Sequence, residues 1–487
     1  MGTSTKSKVL SGLVWKFSER ISAQLVTLVV SIVLARLLSP EDYGAIAIVN
    51  IFIALANVFV VSGFGNSLIQ KKCADNVDFS SVFYFSIVMS LVIYAILFFC
   101  APVIADFYNM AILSPVLRVL GLRLVVAGVN SVQHAYVSKH MMFKRFFWST
   151  LFGTLISGIV GIAMAYAGFG IWALVAQYMV NTTVDTIVLW FTVKWRPVLK
   201  FSFERLKGLF SYGWKLLASE LLSTAYSKFR ALIIGKLYTP EAFAFYSKGE
   251  HFVSLIVTNV NTSIQSVLFP VMSNVQEKRD NINKLMRRSI KVSGYVMFPL
   301  MAGFAVVAED FVSLILTEKW LPCVPYLQIS CLIYALMPIH TANLQAIKAM
   351  GKSDVILRLE VIKKILGLTV FLFSVRYGVW AVAMSGAVTS VVSSFINAYP
   401  NKKLLNYGYF EQIKDLFPSM VISFIMAISV MLTSILKLSG MIDFVFKISI
   451  GVLVYILISI LFNIDSYNYI KNTIKDIIIK GRGEKNC

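Results

Sequence analysis

Apolar residues run along this chain in stretches of roughly 18 to 25, the length that crosses a bilayer core as a helix. The runs lie near 18–38, 43–66, 80–104, 112–137, 147–167, 170–192, 212–237, 243–270, 291–315, 324–348, 355–375, 378–399, 416–437 and 442–463. They are continuous, unlike the short alternating segments of a β-barrel. The pattern predicts an all-α polytopic membrane protein with about fourteen spans. The first run is long and no small-residue cleavage site follows it. It is expected to be a retained helix and not a signal peptide.

Two short breaks between runs match each other. Arg36-Leu37-Leu38-Ser39-Pro40-Glu41-Asp42-Tyr43 is answered 200 positions later by Lys236-Leu237-Tyr238-Thr239-Pro240-Glu241-Ala242-Phe243. In each, a hydroxyl residue can cap a new helix, Pro fits its first turn and Glu opposes its dipole. Trp15-Lys16 precedes the first copy and Trp214-Lys215 the second. Later, Gly170-Ile171-Trp172-Ala173-Leu174 is answered by Gly378-Val379-Trp380-Ala381-Val382. Matches at both ends of the unit predict a duplication. Six spans fall in each repeat and two are appended. The expected domains are an N-lobe six-helix bundle over 1–200, a C-lobe six-helix bundle over 201–405, two appended transmembrane helices over 406–465, and a basic, amphipathic cytoplasmic tail over 466–487. In that tail Ile470, Ile474, Ile477 and Ile478 share one face, with Lys471 and Lys475 beside them.

Within the apolar runs some polar residues recur at helical spacing. Span one carries Lys16, Arg20, Gln24, Thr27 and Ser31 on one face. Span seven carries Glu220, Ser223, Thr224, Ser227 and Arg230, with Lys228 at the edge. Span eight has His251, Ser254, Thr258, Asn261 and Gln265; span four has Arg123, Asn130 and His134. Span ten adds Ser330, Tyr334, Thr341, Gln345 and Lys348. For the Ser, Thr and Asn members, interhelical hydrogen bonding is an ordinary role. It fits Arg20, Arg123, Lys228 and Arg230 less well, because ionisable groups are costly in lipid and usually face protein or water. The sharper expectation is a water-filled cavity between two six-helix lobes, lined by excess positive charge. Its candidate binding residues are Arg20, Gln24, Thr27, Arg123, His134, Ser227, Lys228, Arg230, His251 and Asn261. Arg forks suit a phosphate. Glu220 is either ion-paired on its own helix or a coupling carboxylate.

Composition sharpens this picture. Of 487 residues 58% are hydrophobic and 14% charged, and mean hydropathy is +0.76. A soluble chain could not cover so much apolar surface. The net charge of +21 does not imply nucleic acid here, since the Lys and Arg residues gather in alternate short loops. That bias places both termini in the cytoplasm. The five cysteines form neither a metal-type pair nor a disulfide framework. No phosphate loop, zinc spacing or nucleophile elbow occurs, and no loop is long enough for a catalytic domain. Neither an enzyme nor a cofactor is expected. Asp75 and Asp78 fall in an inner loop and are expected to be solvated charges.

Trp15-Lys16, the link Ala35-Arg36-Leu37-Leu38-Ser39-Pro40-Glu41-Asp42-Tyr43-Gly44 and Ser62-Gly63-Phe64-Gly65 resemble the bacterial Wzx-type polysaccharide exporters. These belong to the multidrug/oligosaccharidyl-lipid/polysaccharide exporter superfamily. The resemblance covers the whole chain, including six plus six plus two helices. It implies a V-shaped exporter fold in the bacterial inner membrane. It also implies a flippase that moves undecaprenyl-diphosphate-linked oligosaccharide repeat units between leaflets by alternating access, for surface polysaccharide such as exopolysaccharide, capsule or O-antigen. The implied partners are that glycolipid, membrane lipids, and polysaccharide polymerase and chain-length proteins. The resemblance brings no fixed set of cavity residues, so those named above rest on helical faces alone. Two other functions compete. A multidrug antiporter of the same superfamily would want an acidic or aromatic cavity, which the basic stripes oppose. A polymerase or ligase would want a large outer loop, and the outer loops are short.

Overall fold

The computed structural model describes residues 3–472, apart from 62–63, 72–73, 141, 274, 276–277, 437 and 439. The side chains of 3–14 and 16–20, and of some further helical positions, also lie outside the description. Arg20, and Ile474, Lys475, Ile477 and Ile478 of the tail, therefore fall outside the described residues.

The chain is all helical where it is described. In order come α1 (Thr3–Leu37), α2 (Pro40–Val61), α3 (Phe64–Gln70), α4 (Asn76–Tyr108), α5 (Leu113–Lys139), α6 (Phe143–Tyr166) and α7 (Ile171–Thr192). There follow α8 (Phe203–Leu237), α9 (Pro240–Ser273), α10 (Arg279–Val306), α11 (Ala308–Phe311), α12 (Val324–Ala335), α13 (Met337–Ala349), α14 (Ser353–Ser374), α15 (Val379–Leu405), α16 (Tyr409–Thr433) and α17 (Gly440–Leu461). Among the described residues nine helical stretches are both long and apolar enough to cross a membrane. This is a multi-pass membrane protein. The long helices α1, α7, α8, α9 and α14 fall outside those nine because polar residues interrupt them.

The repeated links fold as their sequences require. α2 starts at Pro40 and α9 at Pro240. The Ser39 hydroxyl accepts from the Asp42 amide at 3.1 Å and donates to the Asp42 carboxylate at 2.8 Å. Thr239 Oγ1 accepts from the Ala242 amide at 3.2 Å. The two remote anchors also match: α7 and α15 each begin directly after a glycine, Gly170 at φ +52° and Gly378 at φ +98°. A side chain there would strain the backbone.

Contacts divide the chain into two compact units, Met1–Ala244 and Phe245–Cys487. In the first, α5 packs on α2, α4 and α7, α6 bridges α1 and α7, and α8 lies against α2 and α4. The contact boundary thus falls a helix beyond position 200, because α8 stays with the first unit. α8 is held there by Tyr108 Oη, which donates to the Leu232 carbonyl at 3.2 Å, and by Lys236, which donates to the Phe107 carbonyl.

The segment from Val193 to Ser202 is sewn onto the start of α4. Val198 N donates to Ser80 Oγ at 2.9 Å and Ser202 N to Ser81 Oγ at 3.0 Å. Gln133 Nε2 donates to the Trp195 carbonyl at 3.3 Å. Beneath it, Phe79, Phe83, Val132, Phe146, Trp195 and Leu206 form a buried cluster. Here the expectation of solvated charges is corrected for Asp78, while Asp75 stays exposed to solvent although it has partners. Asp75 caps α4 and pairs with Arg205, and that hydrogen bond holds its carboxyl well below the usual range, at about 2. Asp78 is buried and meets Lys71 at 2.7 Å. A capping box and two ion pairs use charges that a loop would have left in water.

In the second unit, α16 packs along α10 and α17 packs on α16. α10 and α13 bury Met286, Ile290, Ile339 and Ala346 with Leu416 of α16. Above that cluster Asn343, Asn401 and Gln412 form a buried amide triangle: Asn401 and Gln412 both donate to Asn343 Oδ1, at 2.7 and 3.1 Å, and Asn343 donates to Gln412 Oε1 at 2.7 Å. These bonds let the three side chains stay buried, although the Asn401 Oδ1 finds no partner. Lys447 of α17 meets Asp310 at 2.7 Å and Asp443 at 2.8 Å. The ionisable residues near the end of the last span thus serve to fasten α17 to α11.

Two expected spans are broken. The run 324–348 divides into α12 and α13 at Leu336, with Pro338 in the first turn of α13. Proline lacks the amide that a continuous helix would need. The run 291–315 ends its first helix at Val306, and α11 resumes at Ala308.

Candidate functional site

Three helices of the first unit turn polar faces toward one another. On α5, Arg123, Ala127, Asn130 and His134 follow at steps of four, three and four. On α2, Asn50, Ala54, Asn57 and Val61 do the same, and α7 adds Asn181, Thr182 and Asp185. Since α5 touches both α2 and α7, these faces meet. They enclose a cavity of about 630 Å³, which Lys228 of α8 completes.

The cavity wall is hydrogen-bonded. Arg123 Nε donates to Thr182 Oγ1 at 2.6 Å, and its guanidinium lies 5.5 Å from the centre of the Tyr178 ring. Stacking on an aromatic ring fixes the plane of the fork. Asn130 Nδ2 donates to Asp185 Oδ2 at 2.8 Å, and His134 Nε2 lies 3.1 Å from the same oxygen. The His134 ring is stacked on Phe146 at 4.9 Å. The Asp185 side chain is 19% exposed and that of His134 47%. The carboxylate is therefore at the back, and the imidazole is the part that a ligand would meet. With two cations, Arg123 and Lys228, and one carboxylate, Asp185, the fixed charges of the wall sum to +1. Four asparagines, at 50, 57, 130 and 181, add amide donors and acceptors.

Of the residues expected from sequence, the structure brings Arg123, His134 and Lys228 together. Gln24 is half-buried and Thr27 exposed on α1, and neither lines this cavity. On α8, Glu220 and Ser227 are exposed and Arg230 is half-buried. Ser227 Oγ donates to the Thr224 carbonyl of its own helix at 2.9 Å. Lys228 is two residues from Arg230, roughly 200° around the helix, which separates it from the stripe of which it had seemed the edge. His251 and Asn261 belong to the second unit, where Asn261 accepts from Thr341. Arg20 is outside the described side chains.

Asp185 was not found by sequence reasoning. The signal was present: it is the only Asp, Glu, Lys or Arg of α7, in a helix whose Gln177, Asn181, Thr182 and Asp185 share a face. A search for cationic stripes passed over it.

Residues 33–325, more than half of the chain, match the profile of a family described as polysaccharide biosynthesis protein. The chain belongs to this family. Two relatives match along most of their length. The teichuronic acid biosynthesis protein TuaB of Bacillus subtilis is 23% identical over 423 residues, 85% of this chain and 87% of its own. The lipopolysaccharide biosynthesis protein WzxC of Escherichia coli is 22% identical over 447 residues, 87% of this chain and 89% of its own. Among solved structures, the lipid II flippase MurJ in an inward closed conformation superposes with a TM-score of 0.73 at 15% identity, covering 92% of this chain and 98% of that one. An inward-facing multidrug resistance MATE family transporter of the MOP superfamily gives 0.59 at 15% identity, covering 78% and 95%. The fold of this family member is therefore the exporter fold those proteins share.

Proposed function

We propose that the protein is a Wzx-type flippase. It moves undecaprenyl-diphosphate-linked oligosaccharide repeat units from the inner to the outer leaflet of the bacterial inner membrane for surface polysaccharide, with both of its termini in the cytoplasm. Family membership and the names of its relatives support the pathway. The observation that carries the site is the net-positive, amide-rich cavity of the first unit. A diphosphate entering it leaves water, so fixed donors must replace its hydration. Arg123 supplies a planar fork and Lys228 a point charge. The asparagines suit sugar hydroxyls, which both donate and accept. Net positive charge also disfavours a cationic drug, the cargo of the competing antiporter.

In this reading Asp185, and not the coupling candidate Glu220, is the carboxylate of the cavity. It fixes His134 and Asn130 and keeps a counter-charge behind the site. Asp185→Asn is expected to lower export at least about tenfold, the scale of one charge-assisted hydrogen bond, while Glu220→Gln leaves it within about twofold. The measurement is surface polysaccharide, together with the lipid-linked repeat units retained by the cell, in a deletion strain complemented at matched protein level. Retained repeat units should rise as surface polymer falls. The opposite ranking of the two variants would return the coupling role to Glu220.

A further inference from the structure

A second charged cavity lies in the second unit, at the N-terminal end of α10. Lys284, Arg287, Arg288 and Lys291 of α10 face the helical segment 465–472 that follows α17, across a cleft of about 560 Å³. Asp465, Ser466 and Tyr469 form the other wall. Two of the cations are committed within the protein. Arg287 Nε bonds Asp415 Oδ2 at 2.5 Å, and Lys291 lies 3.5 Å from Asp415 and 3.8 Å from Asp465. The other two are not: among the described residues Lys284 and Arg288 meet no carboxylate, and Arg288 lies over the Tyr469 ring at 4.3 Å. Four cations against two carboxylates leave the cleft at +2.

The cleft opens onto an apolar track. Arg288, Val292, Val296 and Leu300 follow at steps of four along one face of α10. Val292 lines the cleft, and Val296 and Leu300 beyond it are exposed. α10 is one of the helices long and apolar enough to cross a membrane; a span there would set the exposed track against hydrocarbon and its charged end at headgroup depth. A soluble phosphate would use the cations and leave the track idle. A phospholipid would use both.

We propose that this cleft is a binding site for the headgroup of an anionic phospholipid. Its phosphate is held by Lys284 and Arg288, and its acyl chain lies along Val292, Val296 and Leu300. Basic pockets at the membrane surface take such headgroups, and each Lys or Arg adds comparable affinity. Ser466 offers a hydroxyl to the glycerol. Occupancy would clamp segment 465–472 to α10, bridging two elements otherwise joined by the Lys291–Asp465 pair and the Arg288–Tyr469 contact.

The test uses the full chain, purified and delipidated in neutral detergent. Phosphatidylglycerol, phosphatidylcholine and inorganic phosphate are added separately, and bound lipid is counted by native mass spectrometry alongside the thermal midpoint. Phosphatidylglycerol is expected to bind and to raise the midpoint; the other two are not. The Lys284→Ala, Arg288→Ala double variant should bind phosphatidylglycerol about thirtyfold more weakly. Both residues are exposed, so its midpoint without lipid should fall only by the small amount that the Arg288–Tyr469 contact contributes. The Lys284→Arg, Arg288→Lys variant, which keeps both charges, should retain most of the binding. Equal binding of phosphatidylcholine, or undiminished binding by the double alanine variant, would overturn the proposal. Protection by inorganic phosphate as strong as by lipid would replace the lipid with a soluble anion.

Discussion

Arg123→Ala is expected to cut export about ten- to a hundredfold, the range of a lost charge-assisted hydrogen bond to a substrate charge. The side chain is held ready on two sides, by Thr182 and by the Tyr178 ring. A diphosphate therefore meets a fork whose plane is already set, and little ordering remains to be done on binding. Alanine removes both the charge and this preorganisation. Arg123→Lys keeps the charge without the fork and should recover only part of the activity. Arg376→Ala, in an exposed turn after α14, should export as the parent does. Surface polysaccharide at matched protein level checks all three. If Arg123→Ala exported normally, the guanidinium would be a packing group between α5 and α7.

Gly44→Ala should be the most damaging small substitution in the first unit. A Cβ at Gly44 would stand 2.0 Å from the Pro240 carbonyl oxygen and 2.5 Å from its carbon. Both are backbone atoms, so no side chain can rotate out of the way. One of the two helix starts must shift, at a cost at or above the usual overpacking range of about 1–3 kcal/mol. The same close approach explains why the first link ends in Tyr43-Gly44: the two repeated links touch, and one of them must lack a side chain. Gly208→Ala is the control. It lies in α8 with nothing within 4 Å of its Cβ position, so helix propensity should make it neutral or slightly stabilising. Thermal midpoints of the purified variants should fall by several degrees for Gly44→Ala and not for Gly208→Ala. Equal midpoints would mean that the two links are not in contact.

Those features that depend on local chemistry were legible in the sequence. A hydroxyl, a proline and a glutamate placed the starts of α2 and α9, and Gly170 and Gly378 placed those of α7 and α15. Hydropathy located the nine helical stretches that are apolar enough to cross a membrane, because lipid allows few other conformations for a long apolar run. The break at Leu336 was also written in Pro338, but a hydropathy window averages over it. The site was legible only in part. Helical spacing put Arg123 and His134 on one face of α5. It could not say which face of α7 or α8 would meet them, since that depends on how helices remote in sequence pack. Lys228 therefore looked marginal and Asp185 was overlooked. For Asp78 the failure was of another kind: a charged loop in a membrane protein reads as solvated until its partners, Lys71 and Arg205, are seen beside it.

Transfer of the glycolipid itself tests the central claim most directly. The purified protein is reconstituted in vesicles with a labelled undecaprenyl-diphosphate-linked oligosaccharide, and the fraction opened to a membrane-impermeant glycosidase is followed over time. The parent protein should raise that fraction well above the level of protein-free vesicles, and Arg123→Ala should stay near it. Transfer by the parent no faster than in protein-free vesicles, or equal transfer by both proteins, would contradict the account.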